Sequence, residues 1–218
     1  MTDKSSMTGY IAPLVVFGVF TEIETWLPPA WYPYAYAAKL CAVMLTLWIF
    51  RYTLRDLRPT GAVVVPACAV GLVVCVLWVG IDKYVPYPHL GSRVAFNPLD
   101  AFTTTLGRAA FLLIRFWGLV IVVPVMEELF WRSFLIRYVT NPDFTAVPIG
   151  EFSMTAFWVV AAFSGLAHPE WLVAVITSAV YTWLLKNTRS VFATFVAHAV
   201  TNAALGAYVL VSHDWKYW

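Results

Sequence analysis

Charge is what this sequence has least of. Asp, Glu, Lys and Arg make up 12% of its 218 residues, roughly half the share of an ordinary soluble domain. So few charges cannot cover a water-facing surface, and 61% of the residues are hydrophobic. A soluble globular domain is excluded. A strong excess of one sign is missing too: the formal net charge is +2, which gives nucleic acid no electrostatic footprint. The cysteines, Cys41, Cys68 and Cys75, all sit in apolar runs. They form neither a disulfide framework nor a metal-ligand spacing and read as packing residues. Alternation of polar and apolar residues is absent from stretches such as 61–80, which excludes a transmembrane barrel. No internal repeat or soluble domain interrupts the chain. The first apolar run, 11–20, is not followed by a small-residue cleavage site, so it reads as a retained helix rather than a signal peptide.

Long apolar runs are plentiful. Helices of about 17–25 apolar residues cross a bilayer, and in lipid every backbone polar group must be satisfied within the protein. The expected fold is therefore all-α: a polytopic transmembrane helical bundle of about six to eight helices around an intramembrane polar cavity, a single integral membrane domain over residues 1–218. Helices are predicted at 9–26, 33–50, 61–80, 102–139 (long or broken), 153–168, 170–186 and 190–211. Pro28, Pro29 and Pro33 mark the first turn, and Arg51, Arg55, Asp56, Arg58 and Pro59 the second. The proline-rich stretch 82–98 reads as a loop, and Asn141-Pro142-Asp143 as another break. The arginines at 51–58 assign that end to the cytoplasm. Arg132, Arg137, Lys186 and Arg189 fall on the same side, as does the amino terminus. The carboxy terminus is then outside, with Trp215, Tyr217 and Trp218 at the outer interface.

Polar groups inside apolar runs carry the functional signal, because a charge at mid-membrane costs on the order of 2.5–3.5 kcal/mol on insertion scales. The first group is Pro124-Val-Met-Glu127-Glu128-Leu-Phe-Trp131-Arg132. Glu128 and Arg132 have the i,i+4 spacing of a helical ion pair. Glu127 then lies on a neighbouring face without a local cation, and a desolvated carboxylate suits general-base chemistry. Pro124 lacks a ladder donor and predicts a kink one turn before the acids. The second group is His168-Pro169-Glu170-Trp171, where Pro169 disfavours helical geometry at His168 and ends a helix there. The third is His198-Ala-Val-Thr-Asn202, whose polar residues share one helix face. At about 1.5 Å per residue, His198 lies roughly 12 Å and Asn202 roughly 18 Å into the last helix, and Glu127 about 15 Å from Arg137. His168 falls near the outer face instead.

In that order and spacing, Glu127-Glu128-x-x-x-Arg132, His168 and His198-x-x-x-Asn202 resemble the CPBP family, the CAAX-processing and bacteriocin-processing (Abi) intramembrane endopeptidases. The resemblance spans about 124–202 and implies a catalytic core near 102–211. Val147-Pro148-Ile149-Gly150 and His168-Pro169-Glu170-Trp171 are similar to a bacterial branch associated with exosortase and PEP-CTERM sorting. One departure stands out: the family has Phe four residues before the His, where this chain has Ser164, with Phe163 one position earlier.

The resemblance implies hydrolysis of a peptide bond by activated water. Glu127 would be the base and His168 would help position the water. His198 and Asn202 would stabilise the oxyanion, and Glu128 and Arg132 would support the site. It implies no cofactor. The alternative is a divalent metal such as zinc held by Glu127, His168 and His198, although no His-Glu-x-x-His helix is present. The implied partners are the lipid bilayer and a membrane-associated peptide or protein substrate, CAAX-like or from a sorting system, in a bacterial inner membrane. A non-enzymatic transporter or scaffold is the competing reading, since buried acids and histidines also build ion paths. Arg108 and Arg115 share a helix face, with Glu22, Glu24 or lipid headgroups as expected partners. His89 and His213 carry no signal.

Overall fold

The computed structural model describes residues 7–91 and 95–218; residues 1–6 of the expected domain and 92–94 of the expected loop lie outside it. Seven principal helices follow one another: α1 Thr8–Trp26, α2 Tyr32–Ile49, α3 Val64–Tyr84, α4 Thr105–Thr140, α5 Met154–Leu166, α6 Trp171–Thr188 and α7 Val191–Ser212. No strand is present among the described residues. Each expected helix is found, with its ends moved by a few residues. Three are long and apolar enough to cross a membrane: Gly61–Tyr84, which contains α3, then α4 and α7.

Local chemistry sets the boundaries. Side chains of Thr104, Ser153 and Ser190 accept from the N–H groups of Gly107, Ala156 and Ala193 and cap α4, α5 and α7, satisfying donors that a helix start leaves unpaired. Helices α6 and α7 end on residues in the left-handed conformation, Arg189 and His213. Helix α4 is continuous. The break anticipated near Pro124 takes the form of two widened π segments, Gly118–Val122 and Leu129–Leu135, on either side of Val123–Glu128. Pro124 takes a donor out of the ladder, and wide turns of this kind recur at functional sites.

Lipid tails provide little hydrophobic drive between helices, so close packing of small residues matters. Gly71 of α3 shows this. A Cβ there would overlap the Ala197 carbonyl of α7, and the Thr201 hydroxyl donates to the Gly71 carbonyl at 2.8 Å. Two acids tie the ends of the bundle. At the basic end, Asp56 accepts from Tyr10 at 2.8 Å, Ser133 at 2.5 Å and Arg137 at 3.1 Å. At the opposite end, Asp82 accepts from Tyr87 at 3.0 Å, Lys216 at 2.6 Å and Tyr217, and meets His89 at 2.6 Å. These clasps place residues 10, 56 and 137 at one end and 82, 89 and 216 at the other, matching the expected threading.

Two expectations are corrected. Glu24 pairs with Lys39 at 2.5 Å rather than with Arg108 or Arg115, because the α1–α2 hairpin brings these side chains together. Arg108 donates to the Leu99 and Phe102 carbonyls, and Arg115 is buried over the Tyr36 ring at 4.5 Å and the Trp218 ring at 5.5 Å. His89, which carries no functional signal in the sequence, belongs to the Asp82 clasp. Tyr217 and Trp218 are buried in the bundle end rather than set at an interface, since the tail folds back onto Asp82 and Phe116.

Candidate functional site

Helix α4 carries the acids, and its neighbours decide what each one does. Glu128 is fully buried. One carboxylate oxygen lies 3.4 Å from Arg132 Nε, an ion contact without hydrogen-bond geometry. The other lies 2.9 Å from His198 Nδ1. Arg132 is buried as well, and its guanidinium reaches Ser178 Oγ of α6 at 3.3 Å. Tyr181, one turn along α6, sits beneath both groups: the Arg132 guanidinium lies 5.4 Å from its ring and the His198 ring 5.6 Å from it. The Tyr181 hydroxyl meets Thr201 at 2.7 Å, and Thr201 continues to the Gly71 carbonyl. Four helices thus hold one buried polar chain running from Gly71 to Ser178. A network of this kind is stable at low dielectric only when its members find partners.

Glu127 is different. It is half-buried and has no side-chain partner among the described residues. His198 and Asn202 are half-buried too. Asn202 donates to the Leu119 carbonyl at 2.8 Å, inside the first widened segment of α4. With Nδ1 of His198 engaged by Glu128, Nε2 is the nitrogen left for substrate or water. It accepts a proton in the neutral ring and donates one in the imidazolium.

His168 also remains half-buried, at the end of α5 as expected. Its Nδ1 lies 2.8 Å from the Ser164 carbonyl, so the position that departs from the family pattern holds the ring through its backbone. The ring packs edge-on against Trp78 at 5.8 Å. Trp78 stands seven residues beyond Gly71 on α3, about 10 Å by helical rise, towards the Asp82 end. His168 therefore lies nearer that end than the Glu128–His198 contact. The loop before α4 pins this turn: Leu90 N–H donates to the Pro169 carbonyl at 2.9 Å, and Trp171 Nε1 to the Pro88 carbonyl at 2.7 Å. Among the described residues no three His, Cys, Asp or Glu side chains gather as a metal-ligand set. Glu127, His168 and His198 do not meet that requirement.

Ser178, Tyr181, Thr201 and Gly71 were not singled out in the sequence. Thr201 had a signal, being three residues after His198 on the same helix face. Ser178 and Tyr181 are likewise three apart on one face of α6, but nothing in an apolar helix marks which partner they meet.

These features define a polytopic helical membrane protein with a buried Glu–Arg–His cluster and a free carboxylate beside it. Residues 109–204, from α4 to α7, match the family model of the Rce1-like type II CAAX prenyl endopeptidases. The match contains Glu127, Glu128, Arg132, His168, His198 and Asn202 and bears out the CAAX-protease resemblance of the motifs. No curated protein and no solved structure matches the chain.

Proposed function

We propose that this protein is an intramembrane endopeptidase that hydrolyses a peptide bond in a membrane-associated substrate. One observation carries the reading. Glu128 commits both oxygens to Arg132 and His198, while its neighbour Glu127 is half-buried with no side-chain partner among the described residues. The two adjacent acids thus divide into a structural one and a reactive one. The same division runs through the whole set: Glu128 and Arg132 are buried, whereas Glu127, His168, His198 and Asn202 remain reachable.

In this mechanism Glu127 takes a proton from water as the water oxygen attacks the scissile carbonyl carbon. The carbonyl electron pair moves to oxygen. Asn202 and, with His198 as the imidazolium, its Nε2–H stabilise the resulting oxyanion, and Glu128 accepts from Nδ1 and holds the ring in place. When the tetrahedral intermediate collapses, the C–N bond breaks and the proton on Glu127 passes to the leaving amine. Preorganised donors of this type supply a large part of the rate in acyl transfer. His168 enters by resemblance as a water-positioning residue.

The family match favours a substrate with a prenylated CAAX-like tail. In this reading the whole chain works as one membrane domain with its core at 102–211, and the likeness of 147–150 and 168–171 to a sorting-associated bacterial branch supports a bacterial inner membrane as its location. The test is cleavage of a farnesylated membrane peptide by purified protein in nanodiscs, wild type against Glu127→Gln. Cleavage by the wild type alone supports the assignment, and flux of ions through liposomes without cleavage points to a transporter.

A further inference from the structure

At the basic end two turns face each other. One follows α2 and carries Arg55, Asp56, Arg58 and Thr60; the other joins α6 to α7 through Arg189 and Ser190. A cavity of about 550 Å³ lies between them, lined by those residues. Its charge is one-sided. Asp56 is the acid in its wall, and that carboxylate already accepts from Tyr10, Ser133 and Arg137 and lies 3.8 Å from Arg55. Arg58 and Arg189 are exposed and make no ion pair with any described residue.

The backbone holds Arg189 in this position. It ends α6 in the left-handed conformation (φ 49), and its N–H donates to the Leu185 carbonyl at 2.7 Å. Gly150, itself at φ 84, packs so closely that a Cβ would collide with the Arg189 backbone. Ser190 then caps the 22-residue helix α7. The first backbone N–H groups of α7 and the positive end of its dipole come to the same cavity.

We propose that this cavity binds a phosphate group, gripped by Arg58 and Arg189 against the amino end of α7. A guanidinium fork matches phosphate oxygens two at a time, and helix amino ends favour anions. The two turns lead directly into the candidate membrane spans Gly61–Tyr84 and Val191–Ser212, which sets the cavity at headgroup depth. Two sources offer this chemistry: an anionic phospholipid headgroup, abundant in the leaflet that basic residues face, and free phosphate.

The experiment uses the full chain, delipidated in neutral detergent, with retained lipid counted by native mass spectrometry and thermal midpoint as a second readout. Probes are phosphatidylglycerol, galactosyl diacylglycerol as a phosphate-free lipid with the same chains, and inorganic phosphate. Phosphatidylglycerol is expected to bind at least tenfold more tightly than the galactolipid. Arg58→Gln and Arg189→Gln should each weaken it roughly tenfold, the loss of one charge-assisted contact. Arg58→Lys, which keeps charge without the fork, should fall between. Arg51→Gln, at the same end but outside the cavity, should bind like wild type. If millimolar inorganic phosphate displaces the lipid, the site also takes the free anion; if it does not, the headgroup is the ligand. Equal binding of the two lipids by wild type overturns the proposal without any variant. So does a loss in Arg51→Gln as large as in Arg58→Gln, which would mean diffuse surface charge.

Discussion

His198 Nδ1 lies 2.9 Å from Glu128 Oε1, joining the last helix to the longest one across the centre of the bundle. That bond decides which acid is which. It fixes the His198 ring, fills the second oxygen of Glu128, and leaves Glu127 as the carboxylate available to water.

Removal of Arg132 tests the structural half of that division. Arg132→Ala leaves Glu128 buried without its cation, and breaking a buried pair from one side costs about 3–5 kcal/mol. The variant should give less folded protein and a lower thermal midpoint in detergent. A midpoint equal to wild type would mean that the 3.4 Å contact contributes nothing.

Asn202→Ala probes the reactive half. Loss of one oxyanion donor lowers turnover by roughly a hundred- to a thousandfold in comparable sites. The same change removes the hydrogen bond to the Leu119 carbonyl, worth about 1 kcal/mol. A folded variant with strongly reduced turnover and an almost unchanged KM is expected. An equal rise in KM would assign Asn202 to substrate binding instead.

The Asp82 clasp predicts weakness in alkali. Burial, and then the Asp82 carboxylate, push the phenols of Tyr217 and Tyr87 above the usual tyrosine value. Each must keep its proton in the folded state. Its contribution is complete below about pH 10, the ordinary value for tyrosine, and is lost as pH rises above that towards the raised folded value. Tryptophan fluorescence from Trp215 and Trp218 should change in this range. Tyr217→Phe, which has no proton to lose, should flatten the transition, and an unchanged profile would place the alkaline limit elsewhere.

Chelation addresses the competing chemistry. In the proposed mechanism Glu127 acts as a base and no metal takes part, so activity should survive EDTA. Activity lost to chelator and restored by zinc would recast Glu127, His168 and His198 as ligands that come together only in another conformation.

Much of this architecture was legible because hydropathy is a local property. Seven apolar runs became seven helices, and the i,i+4 spacing of Glu128 and Arg132 became a contact. What stayed hidden is non-local. Nothing near Asp82 announces Lys216 or Tyr217, and nothing near Arg115 announces the Tyr36 and Trp218 rings that replace a carboxylate. The widened segments of α4 leave no trace in hydrophobic period, since Gly118–Val122 is wholly apolar and Leu129–Leu135 is apolar but for Arg132 and Ser133. His168 was placed near the outer face by helix counting, and the Trp78 contact keeps it towards that end. The bond between Glu128 and His198 spans 70 residues. Each residue could be nominated, but only the fold shows which acid His198 meets.

The division between the two acids is tested most directly by Glu127→Gln, assayed for single-turnover cleavage of a farnesylated membrane peptide in nanodiscs. The amide keeps the shape and cannot accept the proton. Folded yield and thermal midpoint should match wild type, because Glu127 has no side-chain partner among the described residues to lose, substrate binding should persist, and cleavage should fall to background. Cleavage at the wild-type rate by Glu127→Gln would contradict the account.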